Sequence, residues 1–232
     1  MIRHFTGTLI QKKEIAENTT EMTFRVDDPG FAFKAGQYVS VEGPSLEGAS
    51  VTDRYHDFSI ASSPSNPNEI SISFRSSQSI FKTAILALPV GGVVNIDGPK
   101  GVLTLPESPH TPLIFVAGGI GITPLLSMVR FATEAGSPQK ITLLYCNAKA
   151  ETTAYRQELR ALASQNPHFT FEEFLGIPTK EIFIPTMERQ PNAMWYIVGA
   201  PLMVEKVEQF LFDSGIMDTQ VRTEEFSGYM SK

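Results

Sequence analysis

The chain has 232 residues, a formal net charge of −6 and 42% hydrophobic residues, enough for one large domain or two ordinary ones with buried cores. The negative charge argues against nucleic acid and anionic membranes as general partners. No apolar run is long enough for a signal peptide or a membrane span. The single cysteine, Cys146, excludes a disulfide framework and a zinc or iron–sulfur centre held by several thiolates. We therefore expect a soluble cytoplasmic protein without a metal site.

The first hundred residues contain short strand-like segments separated by Gly- and Pro-rich turns. Apolar and polar residues alternate over 70–74 in particular, and one amphipathic helix is expected over 80–88, capped by Ser79. Short strands at close spacing predict a small antiparallel β-barrel, here of six strands. The six segments are 5–15, 20–27, 38–41, 57–62, 70–74 and 93–96.

The pattern changes after a Pro-rich linker over 106–112, because strands and helices alternate from there on. Alternation of this kind predicts a Rossmann-like parallel sheet with helices on both faces. We therefore expect a barrel domain over 1–106 and an α/β domain over 112–232. The predicted strands are 113–117, 141–146, 169–174, 195–199 and 219–223, and the predicted helices are 123–135, 151–164 and 201–213.

The turn after the first of these strands carries three glycines, Gly118, Gly119 and Gly121, followed by Thr123 and Pro124. We expect Thr123 to cap the next helix and Pro124 to occupy its first position, where a missing N–H costs nothing. A glycine turn at a helix N-terminus lets the backbone approach a phosphate closely. The alternative interpretation is a tight strand–helix connection without a ligand.

Ligands of parallel sheets bind beyond the carboxyl ends of the strands. Besides the glycine turn, two further segments follow predicted strands: Asn147-Ala148-Lys149 and Gly199-Ala200-Pro201. The second repeats the arrangement of strand, glycine and helix-opening proline.

Eight segments, in one order along nearly the whole chain, make the sequence resemble the ferredoxin–NADP reductase family. His56 to Ser62 resembles the family's flavin motif R-x-Y/F-S-I-A-S, and Gly118 to Pro124 resembles its nicotinamide-nucleotide turn. The other six segments are Ala35-Gly36-Gln37-Tyr38, Ser79-x-Phe81-Lys82-Thr83, Gly98-Pro99-Lys100-Gly101, Tyr155-Arg156-Gln157-Glu158-Leu159, Val198-Gly199-Ala200-Pro201 and Glu224-Glu225-Phe226.

The resemblance implies an FAD-binding barrel, with FMN as the less favoured flavin, followed by a domain that binds NADH or NADPH. Hydride transfer from nicotinamide C4 to flavin N5 needs the two atoms about 3–3.5 Å apart. By resemblance, Phe58 packs on the flavin ring, the Ser59 hydroxyl reaches N5, and Glu224 or Glu225 lies near the nicotinamide or the flavin edge. The alternative interpretations are ordinary strand residues and a frayed terminus.

The resemblance assigns the catalytic roles to Ser59 and Glu224. It assigns flavin binding to His56, Phe58, Ser59, Ile60, Phe74, Phe81, Lys82, Thr83 and Phe226, with Tyr229 as an alternative cover for the flavin. Arg75, after the alternating strand, is a further candidate for the flavin phosphate, and its alternative interpretation is a solvated charge at the strand end. The resemblance assigns coenzyme binding to Gly118, Gly119, Gly121, Thr123, Pro124, Gly199, Ala200 and Pro201. Asn147 is a further candidate for coenzyme binding, because it follows the second predicted strand.

His56 and Val198 depart from the family pattern. The family has arginine at the position of His56, because a guanidinium grips phosphate bidentately and stays charged. His56 either binds phosphate weakly, or Arg54 or Lys82 supplies the charge, or the flavin exchanges; we favour Lys82 with the helix N-terminus near Ser79. The family often has cysteine at the position of Val198, near the nicotinamide, and the loss of that thiol should change the rate or the fit rather than abolish coenzyme binding. We interpret Cys146 as a buried core thiol that does not replace it.

The choice of coenzyme stays open, because Lys149 and Arg156 would suit NADPH whereas Glu151 would suit NADH. The lone cysteine leaves no iron–sulfur domain in this chain, so we expect a separate electron acceptor, such as a ferredoxin-like or oxygenase protein. The first alternative is a flavin reductase that uses flavin as a substrate. The second is a non-catalytic dinucleotide-binding module. We expect a monomer or a weak dimer.

Overall fold

The computed structural model describes residues 3–44 and 49–226, whose eleven strands form two sheets. The first sheet is antiparallel, with the strand order β4-β3-β6-β1-β2-β5. The Ala61 N–H donates a 2.7 Å hydrogen bond to the Ser71 carbonyl, which joins the segment after β4 to β5 and helps to close the barrel. The strands are β1 (His4–Ala16), β2 (Thr19–Arg25), β3 (Tyr38–Glu42), β4 (Tyr55–Ser59), β5 (Glu69–Arg75) and β6 (Val93–Lys100).

The barrel core is filled by the alternating apolar residues of its strands and by one helix. Ile70, Ile72 and Phe74 of β5 point inward and are buried, as the alternation predicts. Ser71 and Ser73, on the opposite face of the strand, are also buried: Ser73 Oγ is hydrogen-bonded to Tyr155 of the second half, whereas Ser71 Oγ is hydrogen-bonded to Thr23 of β2. The alternation in the sequence predicts that one face of β5 is exposed, but in the structure both faces of this strand are buried.

Two helices lie in this first half of the described chain, α1 (Val51–Arg54) and α2 (Ile80–Ala87). Ser79 caps α2 as predicted, since its Oγ accepts the Lys82 N–H. Phe81 and Ile85 place the apolar face of α2 in the barrel core. The short α1 has no counterpart in the sequence prediction.

The second sheet is parallel, with the strand order β11-β10-β7-β8-β9. Helices α3 and α4 cover one face and α5 and α6 the other, so the predicted α/β arrangement is confirmed. Sequence reasoning missed α5, which contains Pro185. The elements are β7 (Leu113–Gly118), α3 (Ile122–Glu134), β8 (Ile141–Asn147), α4 (Arg156–Gln165), β9 (Phe169–Leu175), α5 (Lys180–Arg189), β10 (Met194–Gly199), α6 (Pro201–Asp213) and β11 (Val221–Glu225).

The predicted helix cap at Thr123 is wrong. A 3-10 turn over Gly119–Gly121 leads into α3, which begins at Ile122. Thr123 is therefore already helical, and its hydroxyl donates a 3.1 Å hydrogen bond to the Ile120 carbonyl. Pro124 still lies in the first turn, where proline is tolerated.

Among the residues that the structure describes, no helix is long and apolar enough to cross a membrane. The domain boundaries at 1–106 and 112–232 stay a prediction.

Candidate functional site

Ser59 and Glu224, the two predicted catalytic residues, meet where the barrel contacts the parallel sheet. The Ser59 hydroxyl donates a 3.2 Å hydrogen bond to Glu224 Oε1 across 165 residues of chain. Ser59 is buried. Burial also raises the pKa of Glu224, although the hydrogen bond from Ser59 opposes part of that shift. The Glu224 carboxyl group therefore keeps its proton to a higher pH than an exposed glutamate does.

Tyr38 belongs to the same junction. It pairs with Ser59 across β3 and β4, and its pKa is raised by burial and by the negative charges of Asp57 and Glu224. The motif around Tyr38 was one of the eight matched segments, but no role followed from it. Only the strand register brings this phenol beside Ser59.

The inward face of β4 carries His56 and Phe58 into an aromatic cluster. The His56 ring centroid lies 4.4 Å from that of Phe81, and Phe58 lies 5.6 Å from Phe74 and 5.7 Å from Phe81. Four predicted flavin-binding residues are thus together. Phe58 is only 9% exposed, so its neighbours in the barrel core already cover most of its ring.

The first turn of α2 carries the predicted phosphate-binding residues Lys82 and Thr83. The Lys82 N–H donates a 3.1 Å hydrogen bond to Ser79 Oγ, and the Thr83 hydroxyl donates a 3.0 Å bond to the Ser79 carbonyl. Partial burial lowers the pKa of Lys82. The contact between Phe81 and His56 places this turn against β4, so a cation and a helix N-terminus lie near the position where the family has arginine.

The two predicted nucleotide turns pack on each other. A Cβ atom built on Gly121 would lie 2.4 Å from the Val198 carbonyl oxygen and 2.9 Å from the Gly199 Cα. One built on Gly118 would lie 2.3 Å from the Met203 sulfur. These glycines therefore permit close contact between the ends of β7 and β10, whether or not a ligand is bound.

Arg75 reaches from the end of β5 to the glycine turn. Gly119 has a φ of 56°, and a Cβ atom there would lie 3.1 Å from Arg75 Nη2. The guanidinium group is therefore close to backbone that a phosphate would approach, which fits a phosphate-bearing ligand between the two halves.

Asn147, at the carboxyl end of β8, is buried at 3% exposure, and its side-chain Nδ2 and Oδ1 have no hydrogen-bond partner among the described residues. A buried amide without partners is costly, so this residue fits a site completed by a ligand. Tyr145 lies on the same face of β8, and its hydroxyl donates a 2.8 Å bond to the Gly119 carbonyl. Sequence reasoning missed Tyr145, because nothing local marks it as different from a core residue.

The residues that could determine the choice between NADH and NADPH differ in whether they form an ion pair within the protein. Arg156 Nε lies 2.8 Å from Glu173 Oε2, and Arg160 contacts the same carboxylate at 3.3 Å. Arg156 is therefore engaged in an ion pair, whereas Lys149 is exposed and Glu151 lies in a 3-10 turn beside it.

The remaining predicted residues lie at the edges of the site. Ile60 is buried in the barrel core, and Pro201 opens α6 with Ala200 before it. The Phe226 N–H donates a 2.8 Å hydrogen bond to the Gly199 carbonyl, which holds the last described residue beside the nucleotide turn. Tyr229 lies outside the described residues.

Comparison with known proteins matches both halves. Residues 6–105 match the oxidoreductase FAD-binding domain and residues 115–209 the oxidoreductase NAD-binding domain. Ferredoxin–NADP reductase B of Sorangium cellulosum is 31% identical over 170 residues, which cover 72% of this chain and 68% of the relative. The chain belongs to the ferredoxin–NADP reductase family.

The chain spans about three fifths to two thirds of the length of several curated relatives that it matches. The phenol hydroxylase P5 protein of Acinetobacter pittii is 26% identical over 97% of this chain, which spans 66% of that relative. The reductase component of propane 2-monooxygenase from Rhodococcus jostii is 25% identical, and 58% of its length is covered. The cytochrome P450 reductase GcoB of Amycolatopsis has the same fold, with a TM-score of 0.82 at 22% identity over 97% of this chain and 70% of that one. The family match confirms the predicted fold class and the predicted FAD and nicotinamide-nucleotide cofactors.

Proposed function

We propose that this protein is an FAD-dependent NAD(P)H oxidoreductase that passes electrons to a separate protein. The hydrogen bond between Ser59 and Glu224 carries the proposal, because it joins a strand of the FAD-binding barrel to a strand of the NAD-binding sheet. The relatives named as the reductase component of propane 2-monooxygenase and as the ferredoxin reductase component of 3-ketosteroid-9-alpha-monooxygenase support an oxygenase or a ferredoxin-like protein as the acceptor.

The barrel residues would hold the flavin. Lys82 and the N-terminus of α2 would bind its phosphates together with Arg75, and His56 would contribute through the aromatic cluster rather than as the main cation. Bound FAD would supply the chemistry by accepting a hydride and releasing electrons singly. The protein supplies position and electrostatics around it.

The glycine turn and Asn147 would hold the nicotinamide coenzyme. Backbone N–H groups at the start of α3 favour a phosphate. The buried Asn147 amide offers two donors and an acceptor that have no hydrogen-bond partner within residues 3–44 and 49–226. Because Arg156 is paired with Glu173, Lys149 is the remaining cation among the candidates for a 2′-phosphate.

Ser59 and Glu224 would act where the two cofactors meet. By the family resemblance, the Ser59 hydroxyl, which donates to Glu224 Oε1 in this structure, would donate to a flavin nitrogen when FAD is bound. Glu224, whose pKa is raised by burial, can hold a proton there at a pH at which an exposed glutamate is ionised.

An absorbance spectrum of the purified protein, followed under anaerobic conditions by NADH and then NADPH, tests the proposal. We expect a flavin band that bleaches with one coenzyme, and reoxidation by cytochrome c as a one-electron acceptor. A colourless protein that reduces added flavin would establish a flavin reductase instead. Failure to reduce bound or added flavin would leave a non-catalytic dinucleotide-binding module.

We also infer a monomer or weak dimer that works in the cytoplasm, with FAD rather than FMN as its flavin. Light scattering at two protein concentrations tests the oligomeric state. Mass spectrometry of the released flavin tests its identity.

A further inference from the structure

Helix α3 connects the nucleotide turn to the flavin-binding strand. It begins directly after the glycine turn, and two of its side chains reach the barrel backbone. The Ser127 hydroxyl donates a 2.6 Å hydrogen bond to the Ser62 carbonyl, and Arg130 Nη1 donates a 2.7 Å bond to the Ala61 carbonyl. Ala61 and Ser62 follow Ser59 by two and three residues, so α3 is bonded to the chain that positions Ser59.

Arg130 is held in one orientation by its surroundings. Its Nε and Nη2 donate to the two carboxylate oxygens of Glu158 at 2.6 and 2.8 Å. Its Cζ lies 5.2 Å from the centre of the Tyr155 ring. Its Nη2 lies 3.8 Å from Glu21 Oε2 of the barrel, and the Arg130 side chain is only 16% exposed. A bidentate, stacked guanidinium of this kind has a defined direction as well as a charge.

Tyr155 also connects the second half of the chain to the barrel. Its hydroxyl donates a 2.6 Å hydrogen bond to Glu21 Oε2 and is also hydrogen-bonded to Ser73 Oγ. Glu21 and Ser73 are direct partners across β2 and β5. Tyr155 has a φ of 59°, a left-handed conformation that non-glycine residues keep only where their surroundings enforce it.

We propose that Arg130, Glu158, Tyr155 and Glu21 form an interdomain clamp that sets the alignment of the coenzyme with the flavin. The inference rests on the proposed function. The four side chains join α3 and α4 to β2 at the barrel surface. Where the structure describes the chain, their hydrogen bonds and ion pairs reach none of the predicted cofactor-binding residues. They are positioning residues, acting through α3 on the glycine turn and on the segment after Ser59. A displacement of about 1 Å at the reacting atoms can cost roughly 100-fold in rate, so a clamp of fixed geometry has a direct effect on hydride transfer.

The variants Tyr155→Phe and Arg130→Lys test the clamp, with Tyr196→Phe as the matched control. Tyr196 also donates its hydroxyl across the structure, to the Thr104 carbonyl at 3.0 Å, but it lies outside the clamp. We expect the limiting rate of flavin reduction to fall at least ten-fold in both clamp variants, with coenzyme Kd and FAD retention within about two-fold of wild type. The conservative replacement Arg130→Lys should still lose rate, because lysine keeps the positive charge but loses the bidentate geometry of the guanidinium. The control should keep the wild-type rate.

A distance measurement tests the clamp independently of catalysis. Spin labels at Val93→Cys in the barrel and Lys206→Cys on α6 occupy exposed positions, and the buried native Cys146 should stay unlabelled. We expect one narrow distance distribution in the labelled FAD-loaded parent and a broadened or shifted one in the clamp variants. An unchanged distribution in both clamp variants would overturn the clamp, whatever the rates. If the parent protein is not reduced by NADH or NADPH, the proposed function fails while the distance measurement still decides the clamp.

Discussion

Replacing Gly121 with alanine should loosen the contact between the two nucleotide turns. The backbone at Gly121 has φ −59° and ψ −5°, which alanine adopts without strain. The added Cβ would lie 2.4 Å from the Val198 carbonyl oxygen, about 1 Å inside ordinary van der Waals contact, which begins near 3.4 Å. Both obstacles, the Val198 carbonyl and the Gly199 Cα, are backbone atoms, so no side chain can rotate away.

The expected cost follows from overpacking a closely packed site. Such insertions destabilise by about 1–3 kcal/mol, and the rigid neighbours place Gly121→Ala at the upper end. For a chain of this size, about 3 kcal/mol corresponds to a fall in Tm of roughly 6–12 °C. Because α3 must move away from β10, we also expect coenzyme Kd to rise about ten-fold, equivalent to about 1.4 kcal/mol.

Thermal unfolding and coenzyme titration of Gly121→Ala, beside Gly118→Ala, measure both effects. A Cβ at Gly118 meets the Met203 sulfur at 2.3 Å, but this flexible side chain can move, so we expect a loss of stability below about 1 kcal/mol. Equal losses of stability in the two variants would refute the distinction between backbone and side-chain obstacles. Unchanged coenzyme affinity in Gly121→Ala would contradict the assignment of this turn to the coenzyme.

Further predictions concern the junction, the flavin phosphates and the thiol. Ser59→Ala should slow flavin reduction about ten-fold in stopped-flow measurements while Tm stays close to wild type, since one hydrogen bond is worth about 1 kcal/mol; unchanged kinetics would remove Ser59 from the mechanism. Because burial raises the pKa of Glu224, its protonated form favours folding. The free energy of unfolding of wild type should therefore fall relative to that of Glu224→Gln as the pH rises from below 4.5 through the raised pKa. Denaturation curves that give the same difference between the two proteins at pH 4 and at pH 8 would contradict this. Lys82→Met should raise the Kd for FAD at least ten-fold and His56→Ala less than three-fold, as flavin fluorescence would report; the reverse order would make His56 the main phosphate ligand. Burial raises the pKa of Cys146 to about 12, so a thiol reagent at pH 8 should react only after unfolding, and rapid reaction of the folded protein would show that the thiol is accessible.

The sequence predicted both sheets because periodicity and turn residues act locally. Each strand of the parallel sheet lies within about two residues of its predicted position, although β11 begins at Val221 rather than at 219. That small shift places Glu224 inside a paired strand, opposite Val198. Helix α5 was missed, and proline at Pro185 inside it is unfavourable by propensity. Tertiary packing against Trp195 and Phe210, through Phe183, stabilises the helix despite that residue.

The relations between the two halves could not be predicted from local patterns. Ser73 belongs to a strand whose alternation indicates a solvent-facing hydroxyl, yet the hydroxyl contacts Tyr155. Tyr155 was recognised only as part of a helix motif, and nothing in its neighbours indicates a left-handed backbone. Both features arise where residues far apart in the sequence come into contact, and such a contact produces no periodic pattern along the chain.

The glycines of the nucleotide turn are needed for two different physical reasons. The glycine pattern of 118–121 predicts space for a phosphate, but Gly118 and Gly121 face Met203, Val198 and Gly199. Only Gly119, with its positive φ, lies beneath the Arg75 guanidinium. Space for the ligand and close packing of β7 on β10 are therefore assigned to different glycines of one turn. Substitutions at Gly119 should cost about 1 kcal/mol of stability through the positive φ and should also lower coenzyme or flavin affinity by displacing the Arg75 guanidinium. Those at Gly121 should act on stability and affinity because the turn itself must move away from β10.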